Sequence, residues 1–300
     1  EPNYFKRLMK MRRYIREGNF DAVLSFLEAA NFICEIAGLP KRKWKLVVGE
    51  RSANPKILKS VKHRTYRWFH LLADHVVANS HENIKMVRKI NPFLSKKKCH
   101  VIYNMVDFEK WKPSEIYEPL NNNKFKIVVV ASHRYLKNLN GLIEAVNMLS
   151  EEEKNKLQID WYGENSHDDS LQKAQNKIRE FGLSRIFNFY QPILDIHKKV
   201  QEADAIGLFS FYEGLPNAIC EAMASGKPVI ASRVSDIPLL IDEQFTFDPT
   251  NYESITKRIS MILNMRKNEW EETGKKNQEK ALRLFNKEDI INNYVSLLID

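Results

Sequence analysis

The chain has 300 residues, 43% of them hydrophobic, and carries 47 Lys+Arg against 38 Asp+Glu for a formal charge of +9. That apolar share builds a real core and excludes a disordered chain, and the length suits one large or two medium domains. No run of about 18 apolar residues marks a membrane span, and three cysteines without a CxxC pair exclude a disulfide framework and fit a reducing compartment. The eight His show no metal-binding spacing, so no metal site is expected.

Charge is uneven along the chain. Residues 1–120 hold 24 Lys+Arg and 12 Asp+Glu, whereas residues 121–300 hold 23 and 26. A basic first part implies an anionic neighbour and a boundary near residue 120.

Taken in order, Tyr4–Glu17 has helical periodicity, and Ala22–Leu27 is the first β-branched run. A helix at Asn31–Ala37 follows, then a strand at Leu46–Gly49, a helix at Pro55–Ala73, a strand at His75–Ala78, a helix at Glu82–Ile90 and a strand at His100–Tyr103. Lys96–Lys98 reads as a solvated turn. Phe108–Lys124, with two prolines and three consecutive Asn, reads as a linker. Beyond it, strands at Lys126–Ala131, Gln158–Tyr162, Ile186–Phe189, Ala205–Phe209, Pro228–Ala231 and Phe245–Phe247 alternate with helices. Those helices are Leu139–Ser150, Leu171–Phe181, Asp195–Glu202, Asn217–Ala224, Ile237–Asp242 and Tyr252–Met265, with two more at Glu269–Leu284 and Lys287–Leu298. This alternation predicts an α/β protein with two doubly wound parallel sheets. The absence of a GxGxxG turn argues against a dinucleotide-dependent dehydrogenase.

The richest segment is Phe209–Ser232, FSFYEGLPNAICEAMASGKPVIAS, read as strand, loop, helix, turn and strand. Gly214 permits a tight turn and a close approach to a ligand, and Pro216 suits a helix start. Amides near Leu215–Ala218 would point at a ligand above the sheet, where a helix N-terminus favours phosphate. Glu213 and Glu221 frame the loop. As a pair they suit vicinal hydroxyls of a ribose or pyranose; as isolated residues they would be ordinary solvated carboxylates.

This segment resembles the donor-site signature of retaining glycosyltransferases of family 4, which have the GT-B fold. The glutamates, the GLPN turn, the EAMA helix and the GKPVI strand occur in register. The resemblance implies two Rossmann-like domains with an interdomain cleft: 1–115 on the acceptor side, 121–284 for the donor, and a terminal helix at 285–300 packing back on the first. It implies that Glu221 binds the nucleotide ribose, Glu213 contacts the donor sugar, and Gly214, Leu215, Pro216 and Asn217 hold sugar and diphosphate. The loop after Ile127–Ala131 carries Arg134 and Lys137, two cations suited to a diphosphate leaving group. Tyr190 and Gln191 occupy the position where the family holds the base, or form a plain strand-to-helix turn. In the first domain the strand ends carrying Glu28, Asn31, Arg51 and Asn104 would line the cleft. Arg51 would pair with Glu50 or with a phosphate. The family's N-terminal glycine-rich loop and the strand before it are absent. By this resemblance the first domain is expected to be incomplete, and the chain to be a piece of a longer protein or a degenerate copy.

The function implied is transfer of a hexose or N-acetylhexosamine from a nucleotide sugar, UDP before GDP, to a glycan or a polyprenyl-diphosphate-linked acceptor. Retention without metal or cofactor, and a place in lipopolysaccharide or capsule synthesis, go with it. The alternatives are an inactive nucleotide-sugar-binding fragment, or another GT-B enzyme such as an epimerase or phosphorylase. The basic amphipathic stretch Tyr4–Arg16, with Tyr4, Phe5, Leu8, Met11 and Ile15 on one face, suits an anionic membrane or packs on the first sheet. The implied location is cytoplasmic, at the inner face of the plasma membrane. No nucleic-acid module is present.

Overall fold

The computed structural model describes residues 4–52, 54–114, 124–165 and 168–299. They form two compact units. The first comprises Glu1–Met105, Tyr212–Leu215 and Lys287–Asp300; the second comprises Val106–Phe211 and Pro216–Asn286. The first opens with α1 (Tyr4–Glu17), β1 (Ala22–Phe26), α2 (Glu28–Ala37) and β2 (Lys45–Glu50). It continues with α3 (Val61–Trp68), β3 (His75–Ala78), α4 (His81–Ile90) and β4 (Cys99–Val101). The second opens with β5 (Phe125–Val130), α5 (Leu139–Asn147), α6 (Glu151–Lys156), β6 (Leu157–Tyr162) and α7 (Ser170–Glu180). Then come β7 (Phe187–Tyr190), α8 (Ile196–Glu202), β8 (Ala205–Leu208), α9 (Asn217–Ala224), β9 (Val229–Ser232) and α10 (Ile237–Leu240). β10 (Thr246–Phe247), α11 (Tyr252–Leu263) and α12 (Lys267–Leu284) complete it, and α13 (Lys287–Ile299) returns to the first unit.

The first sheet is parallel, in the order β1-β2-β3-β4. Strands laid down in chain order by right-handed crossovers put their connecting helices on one face. Alternation along β2 shows both faces. Leu46 and Val48 join Ile15, Cys34, Ala37 and Val87 in one core, under α1, α2 and α4. Val47 turns the other way and joins Val77, Ile102 and Ile290, with Tyr294, Leu297 and Leu298 of α13 packed against them. The terminal helix therefore covers the face that the winding leaves bare.

A polar chain runs through the first unit. Arg67 is fully buried, with Nη2 at 2.9 Å from Glu28 and 2.6 Å from Glu50. The second oxygen of Glu50 lies 3.0 Å from His70 Nε2, and His70 Nδ1 lies 2.6 Å from Glu35. Burial opposes charging His70, but hydrogen bonds to the two carboxylates override it and push its pKa up to about 9. Burial also works against ionised Glu50, yet hydrogen bonding to His70 and the charges of His70 and Arg67 hold its pKa below the usual range. For Glu35 burial prevails and the pKa is raised.

The structure corrects several expectations. The helix expected over Pro55–Ala73 is broken into a 3-10 turn at Pro55–Lys59, α3, and a second 3-10 turn at Phe69–Leu72. Ser60 causes the first break: its backbone is extended and its side chain caps α3 by accepting from His63 N–H. A separate helix, α6, forms after Ser150, where Ser150 and Glu153 make a reciprocal capping box. The stripe on α1 is divided: Ile15 is buried in the core against α2 and Leu8 is half-buried, whereas Met11 is exposed; the side chains of Tyr4 and Phe5 lie outside the described residues. Arg12 and Arg16 donate to carbonyls at the end of α2 and beyond, among them Leu39. The opening stretch of the first unit runs to Met105, beside the boundary expected near residue 120. Part of the expected linker is packed: Trp111 is buried edge-on to His197, and Gln201 donates to the Lys112 carbonyl at 2.8 Å. Residues 115–123 of it lie outside the described residues.

The second sheet is also parallel, in the order β10-β9-β8-β5-β6-β7. Chain order reverses direction between β5 and β8, which makes that pair the switch point where open α/β sheets bind ligands. Among the described residues no helix is long and apolar enough to cross a membrane.

Arg67→Met removes one partner of a buried charge chain and leaves Glu50 partly uncompensated. Loss of about 3–5 kcal/mol of stability is expected in chemical denaturation. A raised histidine pKa adds stability that is full below the ordinary value of 6.5 and is lost as pH rises through about 9. The stability difference between the native protein and His70→Gln, which cancels titrations elsewhere, should therefore shrink between pH 6.5 and about 9.

Candidate active site

The site is built from the carboxyl ends of β5 and β8. These strands pair at only two positions, Ile127 with Ala205 and Val128 with Ile206, whereas β5 and β6 pair at six. The β5–β8 ladder is not continued above Val128, and the loops that follow the two strands start near this point. Phe211 N–H donates to the Leu136 carbonyl at 3.0 Å, and the rings of Tyr135 and Phe211 lie 5.2 Å apart. The loop bearing Arg134 and Lys137 is thus joined to the strand end that leads into the GLPN turn.

The Arg134 loop is held from the β6 side. Gly163, at the end of β6, lies so close to the Ala131 carbonyl that a Cβ there would collide with it. Trp161 Nε1–H donates to the same carbonyl at 2.6 Å, and His133 N–H donates to the Glu164 carbonyl at 2.9 Å. Arg134 is exposed, and Lys137 is half-buried in a 3-10 turn, Tyr135–Lys137. The left-handed residue Asn138 then starts α5: its side chain accepts from Gly141 N–H and donates to the Pro249 carbonyl at 2.8 Å. Asp168 accepts from Tyr135 N–H at 3.2 Å and from Ser170 N–H at 3.1 Å. Its carboxyl is held below the usual range: slight burial opposes this, but hydrogen bonds to Ser170 and Tyr135 and the charge of Arg134 prevail.

On the β8 side, Pro216 is the N-cap of α9, and its carbonyl accepts from Ile219 and Cys220. The amides ahead of these lie in the first turn, where helix geometry provides no intrahelical acceptor. Glu221 follows one turn later and is half-buried. Burial raises its pKa, and the charge of Lys110 opposes the rise. Lys110 belongs to the stretch read as a linker; only its spatial position beside α9 gives it a role. Tyr190 ends β7, 41% exposed, with its ring stacked on Tyr162 at 4.7 Å, and Gln191 is exposed after it. Arg134 and Lys137 follow the carboxyl end of β5, Tyr190 and Gln191 stand at that of β7, and Pro216, Asn217 and Glu221 belong to the start and first turns of α9, the helix that follows β8 in the chain.

Glu213, Gly214 and Leu215 group with the first unit. Gly214 is not among the positive-φ glycines, so the expected conformational reason is replaced by proximity: a Cβ there would sit 2.9 Å from the Arg51 carbonyl oxygen. The acceptor-side residues are corrected further. Asn31 is fully buried, accepting from Ser25 Oγ–H at 2.7 Å and donating to the Gly49 carbonyl at 2.9 Å, so its amide faces the interior. Glu28 pairs with Arg67 and lies 3.2 Å from His63 Nε2. Arg51 does not pair with Glu50. Its guanidinium donates to Asn104 Oδ1 and, at 3.0 Å, to Tyr294 Oη, and lies 4.8 Å above the Phe26 ring. These contacts hold β1, the segment after β4 and α13 together at one end of the sheet. Among the described residues no three His, Cys, Asp or Glu side chains gather as a metal site would require.

Comparison with known proteins places this geometry. A family model described as Glycosyl transferases group 1 matches residues 113–280, and one described as Glycosyltransferase Family 4 matches residues 1–110. A Klebsiella pneumoniae protein, "Uncharacterized 41.2 kDa protein in cps region", is 24% identical over 227 residues, 75% of this chain and 61% of its own length. The Escherichia coli O-antigen chain mannosyltransferase B is 29% identical over 139 residues, 45% of this chain and 35% of its own. The matched region thus spans less than two thirds of either relative. The crystal structure of Anabaena Alr3699/HepE in complex with UDP and glucose superposes with a TM-score of 0.85 at 19% identity, covering 97% of this chain and 80% of that one. At that identity the likeness speaks for the fold, which is GT-B with its two parallel-sheet α/β units. With more than half of its residues matched by that first family model, the chain belongs to the glycosyl transferases group 1 family.

Proposed function

We propose that the protein transfers a hexose or N-acetylhexosamine from a nucleotide-diphosphate sugar, UDP before GDP, to a glycan or polyprenyl-diphosphate-linked acceptor with retention of configuration. The observation that carries this reading is the convergence of two features at the switch point of the second sheet. One is a loop with two cations, and the other is a helix N-terminus followed by a half-buried carboxylate. Relatives described by a cps region and an O-antigen chain support a place in surface-polysaccharide synthesis.

In this reading Arg134 and Lys137 neutralise charge that builds on the diphosphate as the bond from the anomeric carbon to phosphate oxygen breaks. First-turn amides of α9 add to that field. Glu221 accepts from the ribose hydroxyls, and Glu213 and Gly214 meet the sugar. The acceptor oxygen bonds to the anomeric carbon, and its proton passes to the leaving diphosphate. No protein nucleophile and no metal take part. Exposed Met9, Met11 and Tyr14 on α1, beside Lys10 and Arg13, would rest on an anionic membrane and bring the protein to a lipid-linked acceptor.

Titration calorimetry with UDP, GDP and ADP tests the donor site. Glu221→Ala should weaken the preferred nucleotide roughly tenfold or more, since hydrogen bonds to a charged group are lost. Unchanged affinity sinks the assignment. Arg134→Ala should weaken UDP by a similar factor yet leave uridine, which lacks phosphates, within about twofold. Equal losses on both would remove its phosphate role. With a transferable donor, the anomeric coupling constant of the product reports retention or inversion.

A further inference from the structure

Resting on the reading of Arg134 as the diphosphate contact, we propose that His133 and Asn165 form a positioning clamp that sets how tightly Arg134 grips the donor diphosphate. His133 precedes Arg134 in the chain, yet the two residues differ completely in environment. Arg134 is exposed, whereas His133 is 1% exposed. The His133 ring packs edge-on against Phe189 with centroids 5.5 Å apart and lies 6.2 Å from Trp161. Its Nδ1 sits 3.0 Å from Asn165 Oδ1. An amide oxygen can only accept, so Nδ1 carries the proton and donates. Burial lowers the pKa of the ring, against the pull of its hydrogen bond to Asn165.

The main chain repeats the connection. His133 and Asn165 form an isolated parallel bridge outside the named strands, with His133 N–H on the Glu164 carbonyl. On the far side of Arg134, Tyr135 N–H is held by Asp168. Arg134 is therefore an exposed cation between two anchored neighbours, both tied to the loop after β6. Nothing in the packing of β5 against β6 requires a buried imidazole at this place; an apolar ring would fill the space between Phe189 and Trp161. What the imidazole adds is a directed bond to an exposed residue of the next loop. That bond fixes the backbone at Arg134 before a ligand arrives. The ordering that a free loop would undergo on binding is then already complete, which strengthens the grip on the diphosphate without any contact between His133 and the ligand.

Calorimetry with UDP and uridine provides the test, using Asn165→Ala, His133→Phe, Arg134→Ala and the double variant Asn165→Ala/Arg134→Ala. Ordering of one residue's backbone corresponds to roughly a tenfold change in affinity. Asn165→Ala should therefore weaken UDP by about that factor while uridine changes by less than about twofold. His133→Phe, which keeps the ring packing, should do the same. In the Arg134→Ala background Asn165→Ala should cause no further loss, because the clamp acts through that side chain. Asn165 is exposed, so its variant keeps the core intact even if His133→Phe fails to fold. A silent Asn165→Ala, an equal loss on uridine, or an undiminished loss in the Arg134→Ala background overturns the clamp while the donor reading stands. If Arg134→Ala itself leaves the preference for UDP over uridine unchanged, the donor reading falls and the clamp with it.

Discussion

The pairing of β5 with β8 is the constraint on which the candidate site depends. The two parallel strands pair at only two positions, and the loops that carry the candidate residues follow from their ends. Arg134, Lys137 and the start of α9 all lie downstream of the point where these two strands stop pairing. The Arg134 loop leaves one, and the turn into α9 leaves the other. A hydrogen bond from Phe211 to Leu136 keeps the two loops in register. The close approach at Gly163 and the indole of Trp161 fix the Arg134 loop from the opposite side, so the cations stand on a supported backbone.

The first unit solves a different problem. Four strands wound in chain order have helices on one face, and α13, from the far end of the chain, covers the other. Its interior is also unusually charged. Glu50 at the end of β2 is bound by Arg67 and His70, and His70 is bound again by Glu35. Such a chain is sensitive to the loss of any member, because each remaining charge is buried and its partner is gone. It anchors the end of β2, immediately before Arg51, whose guanidinium in turn gathers Phe26, Asn104 and Tyr294. Glu28 and Asn31 are absorbed by this framework. A strand end is where ligand contacts and structural locks compete for the same polar residues, and here the lock takes both.

Periodicity was legible wherever local geometry decides. The strands among the described residues fall on or beside the runs read as strands, and α9 begins and ends at the residues that its sequence signals mark. The donor signature was legible because its residues are contiguous: a strand, a turn and a helix N-terminus read in one direction. Most of what stayed hidden depends on residues far apart in sequence; the break at Ser60, made by a cap three residues away, is the local exception. Ser60 breaks an apparently continuous helix because its hydroxyl finds His63 N–H in an extended backbone. Trp111 turns a proline-bearing linker into packed chain by burying its indole beside His197. Lys110, His133, Asn165 and Asp168 carry no motif, and each acquires its part only through a partner brought close by folding.

By itself the sequence determined the α/β class, the parallel winding and the family, and it marked the segment proposed to meet a nucleotide sugar. These are properties of hydrophobic period, turn chemistry and contiguous motifs, all set by neighbours within a few residues. Tertiary structure alone decided which polar side chains remain available to a ligand. Burial and pairing depend on where separate elements meet. Asn31 and Glu28 became framework, Ile15 became core, and Arg134 was left exposed between two anchored neighbours.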